Sequence, residues 1–119
     1  MASPNIFNPS NCTLNRTSLT ATTAATAIVT NNANSGTAVR LTGLYICNYG
    51  NATANCTLDI YNGTAIQSNL IYALPIPVNG TIEVISSAAR VHLTEGESIR
   101  ITAGANSTIQ ATLSYEVLS

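Results

Sequence analysis

The sequence predicts an all-β fold, an antiparallel β-sandwich of about eight strands, jelly-roll-like or immunoglobulin-like. Three observations predict it. The closing stretch RVHLTEGESIRITAGANSTIQATLSYEVLS alternates with a period of two. Val91 and Leu93, then Ile99, Ile101 and Ala103, then Ile109, Ala111, Leu113, Tyr115 and Val117 share one phase. Turn signals recur at short intervals, as expected of an all-β chain. The one Ala-rich stretch, SLTATTAATAIVTN, carries five Thr and no charge, which disfavours a helix.

The elements follow in order. Residues 1–16 carry Asn, Pro and Ser without periodicity and read as an extended N-terminal arm; residues 17–119 read as one sandwich domain. Pro4 and Pro9 disfavour a helix or a central strand in the arm. Ile6 and Phe7, the latter the only Phe in the chain, form an apolar pair suited to filling a pocket on a neighbouring subunit. After the strand ending at Ile28 and Val29, NNANSG is a turn. In TAVRLTGLYICN, Val39 and Leu41 share one phase, and Leu44 and Ile46 share the other. The switch at Thr42 and Gly43 predicts a bulge or bend. NYGNATAN reads as a hairpin loop, with Cys56, Leu58 and Ile60 lining the return strand. The prolines of AIQSNLIYALPIPV suggest an edge strand or a strand end. The Asn79-Gly80 turn leads into TIEVIS, and TEGE and AGANS join the last three strands as hairpin loops.

Composition limits the core and the partners. The 119 residues suit one domain, 45% hydrophobic but only 5% aromatic and without Trp, so the core must be Val, Ile, Leu and Ala. Charged residues are 8%, there is no Lys, and the net charge is −1. The four Arg are scattered, so no nucleic-acid groove is expected. No apolar run approaches the roughly 20 residues of a membrane helix, and the first residues do not read as a signal peptide. Without Lys to blunt the sheet edges, their cover must come from the chain itself or from neighbouring subunits; the second is favoured.

Few residues could carry chemistry. Alternation puts Cys47 outward and Cys56 inward, so these two thiols are not expected to pair within one chain. Cys56 reads as a small core residue. Cys12 and Cys47 are the candidate intermolecular thiols. His92, the only histidine, falls on the outward phase, and a zinc site lacks both spacing and a second His. Glu95 and Glu97 read as solvated turn residues, with Gly96 supplying a positive φ. Seven Asn-x-Ser/Thr triplets begin at Asn11, Asn15, Asn51, Asn55, Asn62, Asn79 and Asn106. Asn and Thr cluster in turns and strands for conformational reasons, which accounts for them better than glycosylation. No nucleophile–base pair can be proposed, so no enzyme and no cofactor are expected.

Over residues 20 to 118 the order ATAIVTN, GLYICNYG, IPVNGTIEVI, LTEGESIRI and TAGANS resembles the small β-sandwich structural proteins of tailed-phage virions, cyanophage-like ones among them. The resemblance lies in order and composition, and it carries over no functional residue. It implies a non-catalytic protein present in many copies on the virion, assembled in the host cytoplasm. The expected function is capsid decoration, as a homo-oligomer, a trimer, in contact with the major capsid protein or other virion proteins. A neck, collar or tail accessory protein is the alternative. A carbohydrate-binding adhesin module is a third reading, disfavoured by five Tyr and no Trp as stacking platforms.

Overall fold

A computed structural model describes residues 11–86 and 91–119. Nine strands run β1 Cys12–Thr20, β2 Thr26–Thr30, β3 Ala38–Asn48, β4 Ala54–Tyr61, β5 Ile66–Ile76, β6 Thr81–Ile85, β7 Val91–Leu93, β8 Ser98–Ala103 and β9 Ile109–Leu118. No helix occurs among the described residues. All pairings are antiparallel.

Two sheets form. The first has the order β1-β9-β3-β6, with β7 also pairing β3; the second has the order β2-β8-β4-β5. β6 pairs Leu44–Cys47 of β3 and β7 pairs Val39–Leu41, so the two lie end to end on the same side of β3. Nine segments therefore occupy eight strand positions. With β6 and β7 counted as one position, successive strands alternate between sheets except at the β4–β5 hairpin, and pairs nest from the outside in: β1 with β9, β2 with β8, β3 with β6 and β7, β4 with β5. This is the double-sheet jelly roll, the first of the two topologies the pattern allowed.

Nesting corrects three local expectations. NYGNATAN, TEGE and AGANS were expected to close hairpins, but β3 and β4, β7 and β8, and β8 and β9 lie in opposite sheets. Periodicity marks where a chain turns and carries no record of which sheet it enters next. Among the described strands, β4 and β5 alone are neighbours in both sequence and pairing. Gly96 does adopt a positive φ, at 86°, and its amide donates to Asn31 O at 2.7 Å, which docks the β7–β8 crossing onto the end of β2.

The core is aliphatic, as composition required. Val39, Leu41, Leu44, Ile46, Ile109, Ala111 and Leu113 from the first sheet meet Leu58, Ile60, Ile76, Ile99 and Ile101 from the second. The expected bulge falls in place: β3 slips against β9 between Leu41 and Gly43, and Thr42 Oγ1 donates to Ser114 O at 3.0 Å. The extra residue turns both Val39–Leu41 and Leu44–Ile46 into the core, which strict alternation would forbid.

Two buried asparagines hold the crossings. Asn48 Nδ2 donates to Ala52 O and Ile76 O, both at 2.8 Å, while its Oδ1 accepts from Gly50 N. Asn31 Nδ2 donates to Thr37 O and Leu93 O, and its Oδ1 accepts from Ser35 Oγ and Thr37 Oγ1. Each amide satisfies backbone groups that a crossing strips from the ladders.

Candidate interaction surface

One end of the first sheet's edge strand, β1, is uncovered. Its first five residues, Cys12–Arg16, are all exposed, on both faces, whereas Thr17 and Leu19 are half-buried opposite Leu113 and Ala111. The sequence placed residues 12–16 in an arm. They are instead strand, paired with Leu118–Ser114. With water on both faces there is no apolar alternation to read, and backbone pairing alone forms this part of the ladder. Ile6 and Phe7, the candidate partner-contact residues, lie outside the described residues.

Along β9 the inward phase holds from Ile109 to Leu113, which are buried with Ala111; beyond it Tyr115 and Val117 are only half-buried, and Leu118, on the other phase, is buried. Tyr115 and Val117 line the mouth of a cleft of about 350 Å³ between the sheets, together with Ile28, Thr30 and Val39.

The outer face at this end carries a cluster of charge. Arg40 Nη2 meets Glu116 Oε2 at 2.7 Å, and the Cys12 thiol donates to the same oxygen at 3.2 Å. The hydrogen bond to Glu116 raises the Cys12 thiol above its usual range, which favours the thiol over the thiolate. Leu14, opposite Glu116, is 76% exposed. Exposed His92 sits opposite Arg40, as its outward phase required.

The structure does not bring the two candidate thiols together. Cys12 pairs with Leu118 and Cys47 with Gln110, at opposite ends of β9 and about 27 Å apart along the strand. Cys47 is half-exposed on the outer face of the first sheet, and Cys56 is buried in the second. All three cysteines are free. Burial pushes the Cys56 thiol up to about 11.

Elsewhere, Asp59 and Arg100 face each other across β4 and β8 at 2.9 Å, and the Arg100 guanidinium lies 3.8 Å from the Tyr61 ring. Alternation puts Arg100 on an outward phase but does not identify this partner, since the pairing joins residues 41 positions apart. Asn62, one of the Asn-x-Thr positions, accepts from the amides of Thr64 and Ala65, a turn role. No group of three or more metal-ligating side chains comes together among the described residues.

No protein-family model matches this chain, and no curated protein matches it.

Proposed function

We propose that the protein is a non-enzymatic structural component of a virion, a capsid decoration protein that stabilises the head through subunit–subunit contacts. The observation that carries the reading is the Cys12–Arg16 segment, an ordered ladder exposed on both faces. A strand with no core of its own is suited to being covered by a neighbour. The jelly roll is a frame that capsid proteins use, although a frame alone does not decide function. An uncharged polar surface of Thr, Asn and Ser gives hydrogen bonds at little cost in ion desolvation. Jelly rolls also serve lectins. That reading has less support here, because the exposed tyrosines are divided, Tyr45 in β3 and Tyr49 just beyond it against Tyr72 in β5 of the other sheet.

On this reading the protein works as a homo-oligomer, a trimer on the head, with Ile6 and Phe7 inserted into a neighbouring subunit. A reconstruction of purified particles is the test. It should show the sandwich on the head surface in regular copies. Particles free of the protein would overturn the proposal, and density at the neck or tail would move it there. Deletion of residues 1–10 tests the arm without cutting β1, and should weaken attachment while leaving the fold intact. Attachment equal to that of the full chain would make the arm dispensable.

A further inference from the structure

The four sheet edges are not alike. β5, at one edge of the second sheet, slips register against β4 at three places, holds Pro75, and puts Ala73 at φ 49°. β2, at the other edge, is five residues long and bulged between Ala27 and Val29. β6 and β7, at the edge of the first sheet, are five and three residues long. Short length, bulges and Pro are the devices that stop an edge from pairing. β1 has none of them. It runs nine residues in unbroken register with β9, and it contains neither Pro nor Lys.

The direction of its free hydrogen-bonding groups is fixed. Asn11 and Ser119 exchange both backbone bonds, at 2.9 and 3.0 Å, and Ala21 N donates to Ile109 O at 2.8 Å. In an antiparallel ladder such pairs alternate with pairs that exchange none. Residues 11, 13, 15, 17, 19 and 21 therefore bond β9. Cys12, Leu14, Arg16, Ser18 and Thr20 turn their N–H and C=O groups to the open side, where no strand pairs them among the described residues.

From this we infer that β1 pairs antiparallel with β1 of a second copy, about a two-fold axis at Leu14, joining the two first sheets into one. Antiparallel self-pairing is isologous by construction, so two-fold symmetry follows. Only registers that set even-numbered residues against even-numbered residues satisfy the free groups. Centring on Thr13 or Asn15 also sets even against even but seats Leu14 on Cys12 or Arg16 of the second copy, and centring on Arg16 would place two guanidinium groups directly opposite, which is destabilising. Centring on Leu14 sets Leu14 on its own counterpart and buries the most exposed aliphatic side chain of the strand. It also sets Arg16 against Cys12 of the second copy, whose thiol donates to Glu116 there, so opposite charges approach. About six backbone hydrogen bonds form across the axis. The contact is independent of where the protein works and additional to any three-fold contact on a head.

The test uses the full chain in solution. Leu14→Pro removes one N–H that faces the open edge and none that bonds β9, so the fold should survive, as Pro is tolerated on edge strands. By sedimentation equilibrium this variant should have half the mass of the wild-type assembly, with an unchanged far-UV spectrum and a melting temperature equal to that of the wild type at dilutions where the wild type is monomeric. Should the proline variant fail to fold, Leu14→Lys makes the same test by facing two ammonium groups across the axis. A second arm fixes the register. With Cys12 and Cys47 replaced by Ser, Leu14→Cys should crosslink to a dimer under mild oxidation, because directly opposed Cα atoms lie about 5.5 Å apart. Ser18→Cys, in the same background, should not. Unchanged mass in the folded position-14 variant, or crosslinking at 18 and not at 14, would overturn the inference.

Discussion

β1 and β5 face the same problem and solve it in opposite ways. Both are long edge strands, of nine and eleven residues. β5 is largely exposed and contains Ile66, Leu70, Ile71, Tyr72 and Leu74, which as a straight edge would invite pairing. Its three register slips break the row of free backbone groups. The slip at Ala73 is held in place by Thr57 Oγ1, which accepts the Ala73 amide at 2.9 Å. β1 is mostly polar, with three Thr, one Asn, one Ser and Arg16 among its nine residues and Leu14 and Leu19 as its aliphatic residues, and it stays straight. The contrast teaches that the chain supplies its own edge protection where apolar content makes exposure hazardous, and leaves open an edge that is polar and regular. The expectation that neighbours would cover the edges for want of Lys therefore narrows to β1.

Anchoring should separate the two strands most. Ile76 ends β5 fully buried. Ile76→Ala should lower unfolding stability by about 2–5 kcal/mol. Leu14→Ala in β1, measured in urea at a dilution that keeps the chain monomeric, should cost under about 0.5 kcal/mol. Comparable losses would mean that both edges are held alike. A smaller effect is expected at Asn48, whose amide ties the carbonyl of Ile76 to the β3–β4 crossing. Asn48→Ala leaves buried carbonyls without a donor, at a cost of about 1–3 kcal/mol. Amide exchange should quicken at the end of β5 and not in β1; uniform quickening would show that the crossing braces the whole sandwich. The smallest effect concerns β1 itself. Glu116 favours the Cys12 thiol over its thiolate. Glu116→Gln should lower that titration, so more thiolate is present at a given pH and iodoacetamide reacts faster at pH 8. Cys47, far along the same sheet, is the internal control. An unchanged Cys12 rate, followed by mass spectrometry, would detach the thiol from the carboxylate.

Much of the fold was legible because one face of most strands is buried. Period-two alternation located β7, β8 and β9 and gave their inward residues, and the phase switch at Thr42 located the bulge. Pro75 and Pro77 pointed to an edge strand or a strand end, and β5, which holds Pro75, lies at an edge. Alternation also kept Cys47 and Cys56 on opposite faces, and they prove to lie in different sheets. What remained hidden is non-local. Whether a turn folds back or crosses between sheets depends on partners up to about a hundred residues away. The Asp59–Arg100 pair, the plugging roles of Asn31 and Asn48, and the strand character of Cys12–Arg16 all arise from such partners. Asn31 and Asn48 each follow a β-branched or apolar run and precede a Gly-containing loop. That spacing marks a turn but does not distinguish a buried cap from a solvated one.

The nesting of the strand pairs also sets an order of assembly. β4 and β5 close the shortest loop; β3 with β6, β4 with β8, and β2 with β8 close progressively longer ones; β1 with β9 closes the longest. Closing a long loop costs entropy before the contact repays it, so the outermost ladder should form last and folding should be slow. During synthesis the separation becomes a delay. β1 leaves the ribosome roughly a hundred residues before its partner, which at about 5–20 residues per second is a wait of several seconds or more. Through that interval both of its edges are unpaired. A strand of Thr, Asn and Ser can wait in water without collapsing onto other nascent chains. The same composition that keeps β1 harmless while it waits leaves its backbone free to pair afterwards.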